Sequence, residues 1–197
     1  MNVGVLALQG DVPEHVRALA RGDPARTVIP VRGPRDLARV DVLLLPGGES
    51  TTIARLLQGT GLWEPLRERL RGGLPVLATC AGLILLARRL EPGRSGRDPP
   101  TLEFLDVTVR RNDYGSQVDS FEEPIRVDGL ADPPFPGVFI RAPRILAVGP
   151  DATPIAWRGE EVVGVRAGRV WGLTFHPELS GDFRLHERFL AGAEARA

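Results

Sequence analysis

Apolar residues come in short continuous runs over the first half of the chain: VGVLAL (3–8), TVIPV (27–31), VLLL (42–45) and PVLAT (75–79). Runs of this length, bounded by turn-forming residues and without polar alternation, predict strands buried on both faces. Helical periodicity fills the intervals at about 13–21, 51–58 and 62–71, and AGLILLARRL (81–90) reads as a helix directly after the fourth run. Strand and helix in alternation predict an α/β fold, a three-layer sandwich with a mostly parallel central sheet and ligands beyond the C-terminal strand ends. The second half reads differently. FLDVTVRR (104–111), FEEPIRV (121–127), GVFI (137–140), EVVGVRAG (161–168) and RVWGLTF (169–175) predict short antiparallel strands added to the same sheet, before a last helix over about 181–194. EPGRSGRDPP (91–100) is a loop by composition, too short to mark a boundary, and no internal repeat occurs, so residues 1–197 are expected to form one domain.

Three of the predicted strand ends carry candidate chemistry. Cys80, the one cysteine, joins the PVLAT strand to the following helix through a one-residue elbow. Such an elbow throws the side chain outward while the first N–H groups of the helix surround it, favouring a thiolate and an oxyanion. A lone cysteine can also be a small buried apolar residue. In VWGLTFHPEL (170–179), His176 and Glu178 stand two apart, and Pro177 drives His176 into extended backbone, so both side chains face the same way. A thiol, an imidazole and an orienting carboxylate make a triad; taken alone, the pair also fits a surface ion pair. In LLLPGGESTT (43–52), Gly47 and Gly48 let backbone N–H groups approach a substrate as an oxyanion hole requires, or simply make a tight turn.

Composition narrows the chemistry. There is no lysine, and all 25 basic residues are arginine, so a Schiff base and a P-loop lysine are both excluded from this polypeptide. With formal net charge zero, nothing calls for nucleic acid or an anionic membrane as partner. No apolar run approaches the roughly 20 residues of a membrane helix, and MNVGVLALQGD has no basic stretch before its apolar run, so a mature soluble chain is expected. One cysteine cannot close an internal disulfide and a catalytic thiol needs reducing conditions, which points to the cytoplasm. Three scattered histidines and one cysteine show no metal-ligand spacing, and no metal or cofactor is expected. The 18 prolines, two asparagines and arginine bias fit either life at high temperature or a GC-rich genome.

LALQGDVPEH (6–15), LLLPGGESTT (43–52), LATCAGLILLA (77–87), RRNDYGSQVDSFE (110–122), GVFIRAPRI (137–145) and GLTFHPEL (172–179) resemble, in order and over nearly the whole chain, the glutaminase subunits of pyridoxal 5′-phosphate synthase. Cysteine followed much later by HPE resembles class I glutamine amidotransferases in general; TCAGLILLA, RNDYGSQVDSF and FIRAP are more specific to this family. The resemblance implies hydrolysis of L-glutamine to glutamate and ammonia, with Cys80 as nucleophile, His176 as base and then acid, and Glu178 orienting the imidazole. It places the N–H groups of Gly48 and Ala81 on the oxyanion, and Gly47, Gly48, Glu49, Arg111, Ile140 and Arg141 around the substrate. Glu49 would meet the α-ammonium, or only favour a helix N-terminus. Arg111 would suit the α-carboxylate, or pair with Asp113; Arg141 can equally be a solvated charge.

The implied partner is a separate synthase subunit that takes the ammonia, which suits a chain without lysine; pyridoxal phosphate would be a pathway product and not a cofactor. A glutaminase for another acceptor and a non-catalytic binding subunit are the alternatives. Asp11, Pro13 and Ser116 depart from the family pattern and are expected on the partner-facing side, away from the triad. His15 has no assigned role, and His186 reads as a surface residue of the last helix.

Overall fold

The computed structural model of the protein describes residues 1–92, 98–111, 113 and 120–195. Its first four strands are β1 (Val3–Leu6), β2 (Val28–Val31), β3 (Val42–Leu45) and β4 (Val76–Thr79), close to the sequence reading. Along β3, Leu43 and Leu45 join one apolar cluster while Val42 and Leu44 join the other, because successive side chains point to opposite faces. Helices cover both faces. α3 (Ser50–Gly59), α4 (Trp63–Arg71) and α5 (Ala81–Leu86) supply Ile53, Leu57, Leu66 and Leu83 to the first cluster. α1 (Val12–Gly22) and α6 (Arg184–Glu194) supply Leu19, Leu185 and Phe189 to the second. The expected three layers are thus present; a one-turn helix, α2 (Pro34–Leu37), was not expected.

β12 (Val170–Leu173) lies parallel to β4, giving a five-stranded parallel core in the order β2-β1-β3-β4-β12. Antiparallel strands β11 (Glu161–Ala167), β10 (Thr153–Arg158), β7 (Phe121–Val127) and β8 (Phe135–Phe139) extend it to nine. The chain curls so that the His176 N–H donates to the Val138 carbonyl at 2.8 Å, which brings the end of β8 beside the HPE segment.

Four sequence expectations are corrected. RVWGLTF, expected among the added antiparallel strands, supplies β12, which runs parallel to β4 and meets only β11 in antiparallel fashion. The helix after Cys80 ends at Leu86, not at residue 90, and β5 (Ala87–Glu91) follows, with Ala87 already extended. ARRLE pairs with the strand over Leu105–Arg110, and Arg88 and Arg89 both reach that strand's buried Asp106 carboxylate, at 3.0 Å each, compensating its charge. FLDVTVRR does not join the main sheet: β6 (Leu105–Arg110) pairs with β5 and with β9 (Arg144–Val148) in a separate three-stranded sheet. β9 and β10 were not among the expected strands; prolines and glycines flank both segments. Of the expected loop at 91–100, residues 93–97 lie outside the described residues, as do 112 and 114–119, which include Ser116.

Candidate active site

Four loops at the C-terminal ends of neighbouring parallel strands converge: Gln9–Asp11 after β1, Gly47–Glu49 after β3, Cys80 after β4 and His176–Glu178 after β12. They meet in a cleft of about 280 Å³, walled by Asp11, Gly48, Glu49, Ser50, Cys80, Ile84, Arg111, Ile140, Arg141, His176 and Leu179. This is where a parallel α/β sheet is expected to bind a ligand. A larger, more open groove of about 600 Å³ beside Asp41, Arg69 and Arg169 lies near the opposite strand ends and gathers no nucleophile.

Cys80 sits at φ +48°, ψ −101°, a strained conformation for a side-chain-bearing residue and the one a strand-to-helix elbow demands. Its N–H donates to the Leu173 carbonyl at 2.9 Å, and its carbonyl accepts from Ile84, so both neighbouring elements hold the strain. The N–H of Ala81, first residue of α5, belongs to the turn whose donors no helix carbonyl can receive.

His176 is buried, and its Nδ1 donates to Glu178 Oε1 at 2.7 Å. That bond places the proton on Nδ1 and leaves Nε2, which has no other protein partner, as the lone pair available to the thiol. Burial alone would push the imidazole down, but hydrogen bonds involving Asp11, Cys80 and Glu178 outweigh it and hold its pKa well above 6.5. For Glu178 burial pushes up, and the neighbouring His15 and His176 overcome it, holding the carboxyl at about 2. His15 is itself kept neutral by burial, so it acts on Glu178 through an N–H dipole while His176 carries the charge.

Asp11 corrects the expectation that the family departures leave the triad untouched. Its Oδ2 lies 3.3 Å from His176 Nδ1, so the base is flanked by two carboxylates. Asp11, His176 and Glu178 offer ligand-type atoms within 4.8 Å of one another, but Nδ1 already spends its proton on the carboxylates, an acid–base pair in geometry.

Gly47 does not line the cleft. A Cβ there would lie 2.6 Å from Asp11 Oδ2 and 3.0 Å from His176 Nδ1, so the missing side chain makes room for the imidazole. Gly48 does line it, at φ +143°, a conformation that favours glycine. The Gly47 carbonyl accepts from the Asp11 N–H at 3.3 Å, and the Glu49 N–H donates to Gln9 Oε1 at 2.9 Å, so the QGD turn grips the glycine loop at two points.

The Glu49 carboxylate caps α3, accepting from the N–H groups of Thr51 at 3.0 Å and Thr52 at 2.7 Å. Burial is the largest single influence and pushes its pKa up, but the hydrogen bonds from Thr52 and Thr51 together more than reverse that. The helix-terminus reading of Glu49 therefore holds in this state, although the side chain still borders the cleft. Arg111 pairs with Glu49 at 3.3 Å and Asp98 at 3.6 Å; it is Arg110 that meets Asp113. Ile140 and the exposed Arg141, at φ +44°, close the far wall.

Sequence reasoning missed Asp11 and both remaining histidines. His15 and His186 are buried, 0% and 1% exposed, so the surface reading of His186 is wrong. A signal existed: His15 shares the buried face of α1 with Ala18 and Leu19, and His186 that of α6 with Phe189, Leu190 and Ala193, at helical spacing.

Burial holds His186 at about 3 and lowers His15 too, whereas in the unfolded chain each takes a proton near 6.5. Between those values the unfolded state binds more protons, so stability falls as pH drops from about 6.5 toward 3. His186 contributes a slope approaching about 1.4 kcal/mol per pH unit in that window, and His15 acts in the same direction. His186→Gln is expected to make urea-unfolding free energy measurably less acid-sensitive between pH 6.5 and 4.5; an unchanged slope would show that His186 does not titrate in this way.

Fold and site together define a class: α/β proteins with a cysteine at a strand-to-helix elbow facing a His–Glu pair across adjacent strand ends, the class of the glutamine amidotransferases. The chain belongs to the SNO glutamine amidotransferase family, whose sequence pattern matches residues 5–195. It is 51% identical to the pyridoxal 5′-phosphate synthase subunit PdxT of Thermococcus onnurineus, over 98% of this chain and 99% of that one. It is 50% identical to the protein of the same name from Acidothermus cellulolyticus, over 99% of this chain and 95% of that one. A crystal structure of a glutamine amidotransferase, 43% identical and covering 98% of both chains, superposes with a TM-score of 0.87. Another, from Thermotoga maritima, is 17% identical with a TM-score of 0.58 over 100% of this chain and 85% of that one, and shares the fold.

Proposed function

We propose that this protein is the glutaminase subunit of a pyridoxal 5′-phosphate synthase, hydrolysing L-glutamine to glutamate and passing the ammonia to a separate synthase subunit. The observation that carries the chemistry is the convergence of the Cys80 elbow with a buried His176–Glu178 pair, bonded at 2.7 Å, in one cleft. The Cys80 thiolate attacks the carboxamide carbon, forming a C–S bond and moving the carbonyl electrons onto oxygen, where the N–H groups of Gly48 and Ala81 receive them. Collapse breaks the C–N bond, and the His176 imidazolium gives its proton to the departing ammonia. His176 then takes a proton from water, whose oxygen attacks the thioester; glutamate leaves and the thiol is restored. Arg111 suits the substrate's α-carboxylate, the free edge of Glu49 its α-ammonium, Ile140 and Arg141 shape the surrounding wall, and Gly47 serves the site indirectly by leaving room for the His176 imidazole.

Residues 1–197 act as one amidotransferase domain, its two apolar clusters sharing a single sheet. No helix among the described residues is long and apolar enough to cross a membrane, and a working free thiol suits the cytoplasm. A chain without lysine has no side chain that can form an imine with a sugar phosphate, so the carbon chemistry falls to the partner.

The test is glutamate release at saturating glutamine, with and without the synthase subunit of a relative. The QGD turn holds both ends of the oxyanion loop, so a partner seated there can select the Gly47–Gly48 peptide orientation. One oxyanion donor is worth roughly 10²- to 10³-fold, which is the activation expected. No release in either condition would overturn the glutaminase reading; equal, substantial rates would overturn the coupling alone.

A further inference from the structure

Three buried groups lie behind the triad and take no part in the chemistry above. His15 Nε2 is 3.2 Å from Thr79 Oγ1 and 3.5 Å from Glu178 Oε2, and His15 Nδ1 is 3.4 Å from His186 Nε2. Thr79 is the residue before Cys80. One imidazole thus bridges the orienting acid and the strand that presents the nucleophile, and a second imidazole stands behind the first. Both are essentially inaccessible to water, and their rings meet edge to face at 5.6 Å.

We infer that His15 is a positioning residue for this reaction, holding Glu178 against His176, and that His186 locks His15 in the tautomer this requires. The inference rests on the glutaminase reading of the site.

Chemistry sets the tautomers. Glu178 Oε1 is taken by His176, and Oε2 is buried with no hydrogen bond of its own. A carboxylate oxygen only accepts, so a bare ring nitrogen facing it at 3.5 Å would be repelled. His15 must therefore carry its proton on Nε2, where it bonds Thr79 and turns its positive end toward Oε2. Its Nδ1 is then a lone pair and needs a donor, which is the Nε2–H of His186; His186 Nδ1 is left bare and has no partner. The N–H groups run one way, from His186 to His15 to Thr79 and Glu178. Burial is the main opponent of charge on either ring, aided for His15 by His176 and for His186 by His15 and the Arg26 guanidinium; Glu178, Asp11 and Glu14 pull His15 the other way, as Glu178 does His186, and lose to burial.

Without the His15 N–H, Oε2 becomes a buried half-charge facing nothing, and the acid, free to rotate about its own torsions, no longer aims Oε1 at Nδ1. Substrate contacts are untouched, so kcat should suffer and KM should not. Outer partners of this kind are worth about 10- to 100-fold in activity.

Two measurements on the chain in complex with its synthase subunit test this. His15→Leu removes the donor and is expected to lower kcat by about 10- to 100-fold with KM for glutamine within threefold. His15→Gln, whose amide N–H reaches the Nε2 position, should recover most of that loss at equal thermal stability. A folded His15→Leu protein with kcat within twofold of wild type, or a His15→Gln no better than His15→Leu, overturns the proposal. The second measurement needs no activity. With three histidines in the chain, ¹⁵N NMR resolves each imidazole, assigned in the wild-type chain by through-bond correlation of each ring to its own backbone resonances. At pH 7, His15 and His186 should both appear as neutral Nε2–H tautomers; an Nδ1–H or doubly protonated His15 overturns the proposal even if the variants fail to fold. Wild-type protein with these tautomers but no glutamine hydrolysis would instead overturn the glutaminase reading.

Discussion

Cys80→Ala is expected to abolish glutamate release, by on the order of 10⁵-fold or more, because no other side chain in the cleft can form the thioester. The substitution leaves the fold intact. Alanine fits the small buried volume, and the elbow is held by the Cys80 N–H bond to Leu173 and the Ile84 N–H bond to the Cys80 carbonyl, both of which use backbone atoms. An electrophilic glutamine analogue should add a single mass increment to the wild-type chain in the presence of its synthase subunit and none to the variant. Cys80 is the only thiol, so intact mass identifies the site without ambiguity. Persistence of the adduct in Cys80→Ala, or an unmodified wild type, would remove Cys80 from the role of nucleophile.

Glu178→Gln is the next largest effect, a fall in kcat of roughly 10²- to 10⁴-fold with folding retained. Glutamine keeps the shape and can still accept from Nδ1–H, but it brings no charge to stabilise the imidazolium, and its NH₂ can enforce the wrong tautomer. A cysteine nucleophile depends less on its base than a serine does, so the loss stays below that of Cys80→Ala. Asp11 Oδ2, 3.3 Å from the same nitrogen, supplies a second acceptor and sets the result toward the lower end of that range. Turnover within a factor of two of wild type, measured with the synthase subunit present, would reduce Glu178 to a structural residue.

The first four strands and the residues of the proposed triad were legible because both depend on local chemistry. Continuous apolar runs have few ways to be buried, and VLLL and VLAT became strands within a residue of the prediction. A residue before proline is extended wherever it stands, so HPE could be read as a His–carboxylate pair directly. ARRLE failed for the opposite reason. Its helical continuation is locally sound, and it is the pairing with β6, fifteen or more residues further along and carrying the Asp106 carboxylate that both arginines reach, that makes it a strand.

What the sequence determined by itself is therefore the sandwich, the residues of the proposed triad, and the absence of lysine side-chain chemistry, each resting on residue type and near-neighbour spacing. Tertiary structure alone decided which side chains press on those three residues. Asp11 reaches the base because Gly47, after a different strand, leaves space for it, and Glu49 is turned to α3 by two backbone N–H groups. His15 and His186, 171 residues apart, meet behind Glu178 because α1 and α6 pack side by side on one face of the sheet. Contacts between residues so distant in the chain follow from how the layers close, and no local pattern encodes them.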